Sequence, residues 1–187
     1  MTVNIPNILT VMRLLLTPLF VIFLLKHLYA SALMVFIIAC ISDSLDGVLA
    51  RFLNQKTAFG AYLDPMADKV LLITAFVSLA ILKMIPGWLA VIVISRDVLI
   101  TIGISIFTIS NIKYQVKPSV VSKCTTVLQS LTITAALINL VFSVSSLILV
   151  SLYWVTAIFT VISGTHYLYI GLNLLQGVVN NGNHPDV

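Results

Sequence analysis

The sequence predicts an all-α integral membrane protein of six transmembrane helices with both termini cytoplasmic. Two observations of composition and one of pattern lead there. Of 187 residues, 60% are hydrophobic and 9% are charged, against roughly a quarter charged in a water-soluble domain. The mean hydropathy is +1.13. The chain also divides into six apolar runs close to the ~20 residues that a bilayer-spanning helix needs. In lipid each backbone polar group must be satisfied within its own segment, which excludes open strands. The length, residues 1–187, is that of a single domain.

Polar and helix-breaking residues divide the runs. Residues 1–10, "MTVNIPNILT", are of mixed polarity and read as a short interfacial segment that bends at Pro6 and Asn7 into the first span. They lack the basic start and the small-residue cleavage site of a signal peptide. The first span runs from Val11 to Leu25 and stops at Lys26 and His27. The second runs from Tyr29 to Phe52 and the third from Gly60 to Leu82, where "KMIPGW" breaks the chain at Pro86 and Gly87. The fourth extends to Ile109, before "SNIKYQVKP"; the fifth covers Pro118 to Phe142 and the sixth Ser146 to Leu175. Residues 176–187 read as a polar tail with no expected structure.

Charge sets the orientation. With six spans, Arg51, Lys56, Lys113 and Lys117 fall in loops on the side of the termini, with Lys69 and Lys123 near the adjoining helix ends. The opposite side has Lys26 and Lys83. The excess of Lys and Arg marks the cytoplasmic face, and a net charge of +4 favours anionic head groups. No basic patch interleaved with aromatics argues for nucleic acid. The absence of a targeting stretch before the first span favours a bacterial inner membrane. Cys40 and Cys124 lie in apolar runs without a partner at metal-ligand spacing and read as packing residues.

The informative stretch is "SDSLDGVLARFLNQKTAFGAYLDPMADK". It holds Asp43, Asp46, Asp64 and Asp68, four of the six acidic residues in the chain. Asp43 and Asp46 are three apart and share a face of the second helix; Asp64 and Asp68 are four apart on the third. The short connection makes the two helices antiparallel neighbours, with both pairs at one membrane level. Four such charges repel strongly in a low-dielectric site. Either the carboxyls are protonated or cations lie between the helices. Oxygen-only ligands favour hard cations such as magnesium, calcium or manganese. Charge inside a span is costly and usually functional. Gly47, Ala50 and Gly60 keep the neighbourhood small, and Arg51 and Lys56 add positive charge beside it. Paired metals, small residues and a guanidinium suit a diphosphate.

The full pattern is Asp43-x2-Asp46-Gly47-x2-Ala50-Arg51-x8-Gly60-x3-Asp64-x3-Asp68. It resembles the signature of the CDP-alcohol phosphatidyltransferases at all eight fixed positions. The six-span layout resembles that family along nearly the whole chain. The opening "NIPNILTVMRLLLTP" is similar to members that make phosphatidylglycerophosphate or cardiolipin. The resemblance implies that Asp43, Asp46, Asp64 and Asp68 hold two divalent ions, Mg2+ or Mn2+, with Asp68 also the general base. It implies a CDP-diacylglycerol site of Asn7, Thr10, Asp46, Gly47, Ala50, Arg51, Thr57 and Gly60. The acceptor oxygen attacks the phosphorus attached to diacylglycerol and CMP leaves. Members are typically homodimers.

The acceptor is read from other polar residues in the spans. Arg13, Arg96, Ser119 and Lys123 are the candidates, with Arg96 and Lys123 positioned to bind an acceptor phosphate. The alternatives are an ion pair of Arg96 with Asp97 and snorkelling of Lys123. "ISRDV" and "KPSVVSKCTTVLQ" resemble the family members that make cardiolipin. Members acting on glycerol 3-phosphate tend to have Glu at position 97, a further arginine later in the fourth span, and Gly and Lys where this chain has Ser122 and Thr125. Fewer cations suit the single charge of phosphatidylglycerol; glycerol 3-phosphate is the alternative acceptor. A divalent-cation transporter is the rival from another class, but the four-aspartate cluster has no repeat in the second half of the chain.

Overall fold

The computed structural model describes the backbone of residues 5–52, 58–109, 120–142 and 145–181, and the side chains of 10–43, 67–103, 121–142, 145–171 and 173. Among these residues the chain is all-helical. The helices are α1 (Ile5–Leu25), α2 (Tyr29–Phe52), α3 (Ala58–Ile81), α4 (Gly87–Ile109), α5 (Val120–Phe142) and α6 (Ser146–Asn181). Two expected boundaries change. The opening is continuous helix from Ile5 instead of a separate segment, because Pro6 falls in the first turn, where its missing N–H costs nothing. The sixth helix runs six residues beyond Leu175 into the expected tail; the stretch "QGVVNN" has no proline to stop it.

The turns after α1 and α3 share one construction. His27 and Lys83 adopt left-handed backbone, with φ of 57° and 58°. In the first turn Leu28 N donates to Phe23 O at 2.9 Å and His27 N to Leu24 O at 3.0 Å. In the second, Met84 N donates to Leu79 O at 2.9 Å and Lys83 N to Ala80 O at 3.0 Å. This pairing closes a helix C-terminus by satisfying its last carbonyls, usually around a glycine. Here two basic residues take that position.

Packing arranges the helices as a ring in the order α1, α2, α5, α6, α4, α3, closing back on α1, with α3 also touching α5. The antiparallel pairing of α2 with α3 is slight among the described residues; both pack on α1 instead. Arg13 of α1 lies against Asp43, so α1 supplies the cation that the α2 carboxylate meets. Away from the carboxylates, Phe20, Leu24, Phe36, Leu71, Phe76 and Leu79 form a fully buried apolar core, with the Phe20 and Phe36 rings 5.7 Å apart. Outward, Leu15, Met34, Ile81, Val91 and Leu147 are all more than 60% exposed. A continuous apolar exterior of this kind is suited to lipid. Val121–Phe142 and Ser146–Gly171 are each long and apolar enough to cross a membrane.

Candidate functional site

Two polar centres interrupt the apolar ring. The first joins α1, α2 and α3. Arg13, completely buried, places Nη1 2.8 Å from Oδ1 of Asp43, whose side chain is 46% exposed. Thr10 is buried one turn earlier on the same face of α1. Thr17 donates its hydroxyl to the Arg13 carbonyl at 3.0 Å. Asp68 is within electrostatic reach of both Asp43 and Arg13. Asp43 and Asp68 open on one cavity of about 520 Å³. Its walls are Ile37, Cys40 and Ile41 of α2 facing Thr126, Val127, Ser130, Leu131 and Thr134 of α5. Cys40 is thus a wall residue as well as a packing residue. The cavity thus combines two carboxylates with aliphatic and hydroxyl side chains, a mixture suited to a lipid bearing a charged head.

Local structure on α5 fixes what its wall presents. Thr126, Ser130 and Thr134 donate their hydroxyls to the carbonyls four residues back, at 3.2, 3.2 and 2.8 Å. Their protons are therefore spent within the helix. Lone pairs and methyl groups remain for the cavity.

The second centre joins α4, α5 and α6. Arg96 donates through Nη1 to Asp97 Oδ1 at 2.6 Å, and through Nη2 to Ser122 at 2.6 Å and to Ser163 at 2.8 Å. Arg96 and Asp97 are 6% and 3% exposed. Gly164 of α6 faces this arginine; a Cβ there would stand 3.5 Å from Arg96 Cγ, an ordinary van der Waals contact. Beyond it, Thr132 and Thr156 share a hydrogen bond of 2.7 Å between α5 and α6. Thr125 bonds both its own helix and the Phe159 carbonyl of α6. Gln129, 1% exposed, has no hydrogen-bond partner among the described residues.

From Asp43 to the start of α2, and from Asp68 to the end of α3, the helical rise is about 20 Å; from Ser163 to the start of α6 it is about 26 Å, although Arg96 leaves α4 only about 14 Å from its start. The first centre therefore stands a large part of a bilayer core (~30 Å) from the turns at the opposite end. α2, α3, α4 and α6 continue past the two centres.

Of the residues expected from sequence, the structure brings together Asp43, Asp68, Arg13 and Thr10 at the first centre. It puts Arg96 in the second. Arg13, grouped by sequence with the acceptor residues, has its guanidinium on Asp43. Lys123 is exposed near the start of α5. Asp46, Gly47, Ala50, Arg51, Gly60 and Asp64 lie on α2 and α3, and Asn7 on α1, but their side chains are outside the described residues, as are Thr57 and Ser119 entirely. Among the described residues no three His, Cys, Asp or Glu side chains converge, so two of the four expected carboxylates are in view. No local pattern points to Ser163, 67 residues from Arg96. Lys69, expected to mark orientation alone, follows Asp68 directly and reaches α4, donating to Thr101 Oγ1 at 2.6 Å.

The class so defined is an all-helical protein with membrane-like apolar helices and a cavity lined by two carboxylates among the described residues. Comparison with known proteins narrows this class. Residues 3–162 match the family model described as CDP-alcohol phosphatidyltransferase, and the chain belongs to that family. It is 33% identical over 190 residues to the rat protein named cardiolipin synthase (CMP-forming), aligning 92% of this chain with 63% of that one. It is 34% identical over 183 residues to a Bacillus subtilis protein named CDP-diacylglycerol–glycerol-3-phosphate 3-phosphatidyltransferase, aligning 88% of this chain with 93% of that one. An Aquifex aeolicus protein of the same name is 33% identical over 92% of this chain and 98% of its own. The chain thus spans less than two thirds of the rat protein and nearly all of the two bacterial ones.

Proposed function

We propose that this chain is a phosphatidyltransferase that moves the phosphatidyl group of CDP-diacylglycerol to a glycerol-type hydroxyl and releases CMP. The observation that carries this is the shared open cavity, lined by Asp43 and Asp68 and by aliphatic and hydroxyl side chains of α2 and α5. Family membership supplies the reaction class. In the step proposed, the acceptor oxygen forms a bond to the phosphatidyl phosphorus, the bond from that phosphorus to CMP breaks, and the hydroxyl proton passes to the Asp68 carboxylate. Arg13 holds Asp43 in place. The diacylglycerol end of the donor lies along Ile37, Ile41, Val127 and Leu131, with the CDP end toward Asn7, Thr10, Asp46, Gly47, Ala50, Arg51, Thr57 and Gly60.

The donor set at the first centre fits a divalent cation. Asp43 and Asp68 offer carboxylate oxygens, and Asp43 is still 46% exposed after pairing with Arg13. Asp43, Asp46, Asp64 and Asp68 would hold two Mg2+ or Mn2+ ions. Such ions, when bound, offset the charge of the diphosphate and of the leaving CMP. Six spans, cytoplasmic termini and a site facing the cytoplasm of a bacterial inner membrane are supported by the loop charges and by the level of the first centre. A homodimer follows from the family resemblance.

Our reading of the acceptor is phosphatidylglycerol, giving cardiolipin. It is supported by the engagement of Arg96 with Asp97, Ser122 and Ser163, which commits one cation of the region and suits the single charge of a phosphodiester. Glycerol 3-phosphate is the second reading, favoured by the names of the bacterial relatives. Purified protein in detergent with magnesium and labelled CDP-diacylglycerol tests both. Each acceptor is offered separately, and CMP release and lipid product are followed. Cardiolipin is the expected product; phosphatidylglycerophosphate replaces the acceptor assignment, and no CMP release with either overturns the reaction.

A further inference from the structure

Lys69 is the lysine that stands beside Asp68, and the hydrogen bond it donates is to a neutral group. It follows Asp68 on α3 and is half-buried. Among the described residues its hydrogen-bond partner is the hydroxyl of Thr101, a neutral group, at 2.6 Å. Asp97 and Asp68 are within electrostatic reach of the ammonium, yet the hydrogen bond it makes is to a neutral hydroxyl, which an anionic oxygen can replace with a stronger one. Thr101 does not need the lysine, since its own proton goes to the Asp97 carbonyl at 2.7 Å. The contact can therefore be exchanged at little cost. Arg96 is the opposite case, with both Nη2 protons and Nη1 tied into three helices.

Position adds to this. Thr101 is one turn beyond Asp97 on α4, and Tyr167, within electrostatic reach of Lys69, is one turn beyond Ser163 on α6. The ammonium thus stands one turn outside the Arg96 clasp, between α3, α4 and α6, beside the carboxylate that would take the acceptor's proton. Its four-carbon stem gives it reach and its three donors are free to rotate.

We propose that Lys69 exchanges Thr101 for the phosphate of the acceptor and thereby sets the acceptor's hydroxyl beside Asp68. The inference rests on the phosphatidyltransferase reading and names a specificity residue within it. The ligand chemistry is a glycerol hydroxyl flanked by a phosphate, as a diester in phosphatidylglycerol or a monoester in glycerol 3-phosphate. Lys69 would act as a positioning residue; the proton moves to Asp68.

The test compares Lys69→Met, Lys69→Arg and Thr101→Val with the wild type, using each of the two acceptors and unphosphorylated glycerol as a third. Lys69→Met is expected to raise the KM of the phosphate-bearing acceptor by roughly tenfold to a hundredfold, the weight of one charge-assisted hydrogen bond, with the KM for CDP-diacylglycerol within about twofold. Its preference for that acceptor over glycerol should fall by a similar factor. Lys69→Arg should restore most of the loss. Thr101→Val, which removes the tether and keeps the charge, should leave acceptor KM nearly unchanged. If Thr101→Val reproduces Lys69→Met, or if Lys69→Met lowers kcat alike for all three acceptors, the lysine is a helix tie and the proposal falls. Magnesium-dependent CMP binding, followed in every variant, reports folding independently of the acceptor. The acceptor that responds to Lys69→Met identifies diester or monoester as the ligand. A wild type that binds CMP but transfers to none of the three overturns the reaction class itself, a result distinct from failure of Lys69 alone.

Discussion

The two polar centres use the same kind of residue to opposite ends. In the first, a fully buried arginine meets an aspartate that remains 46% exposed, and the carboxylates look into a cavity. In the second, arginine and aspartate are both closed off, and two serines from other helices accept from Nη2. The first leaves charge open toward a cavity of about 520 Å³. The second ties α4, α5 and α6 together. On the proposed reading the first is the reactive site and the second a tie between helices, a difference that residue type does not show, since a sequence presents Arg13 and Arg96 alike.

The comparison can be broken most directly at Asp68. Asp68→Asn should lower transfer by about 10²–10⁴-fold, the range for loss of a general base, while CMP still binds with magnesium. Near-normal turnover would move the base elsewhere. The scaffold side is probed by Arg96→Leu, which strands a buried Asp97 and should cost about 3–5 kcal/mol in unfolding. The double replacement Arg96→Leu with Asp97→Leu should regain most of that, because it removes both charges. Thermal unfolding in detergent distinguishes the cases; an uncorrected double variant would mean that the serine contacts carry the stability. Arg13→Met should be milder, about 1–2 kcal/mol, since water can reach Asp43 when its partner is gone. A loss as large as that for Arg96→Leu would erase the distinction between the centres. The smallest effect belongs to a turn remote from both. Lys83→Gly relieves left-handed backbone and should stabilise by about 0.5–1 kcal/mol, read as a higher midpoint with unchanged activity.

Much of the molecule was legible in advance, for identifiable reasons. Helices announce themselves through apolar runs and breakers, so the starts of α2 and α6 and the ends of α1, α4 and α5 fell where Lys26, Pro86 and the polar connections put them. Asp43 and Asp68 could be matched across two helices because each lies near a short connection. What stayed hidden was lateral order. Nothing local in "TPLF" or "SDSL" says that α1 packs against both α2 and α3, and the tie from Arg96 to Ser163 depends on a ring that only the complete chain closes. Lys69 counted toward orientation alone, because its reach to Thr101 depends on a side-chain direction that spacing does not give.

One consequence of the α5 wall concerns mechanics. Five hydroxyl residues of α5, with Thr126, Ser130 and Thr134 in the wall and Thr125 and Thr132 on the α6 side, return their protons to carbonyls a turn behind. Each of those carbonyls then serves two donors, which weakens the helical rung it belongs to and eases bending of the rod. Across the cavity, α2 shows such sharing among the described residues at Ser42, which donates to the Ile38 carbonyl. Of the two helices beside the cavity, α5 is therefore the springier rod and α2 the stiffer one.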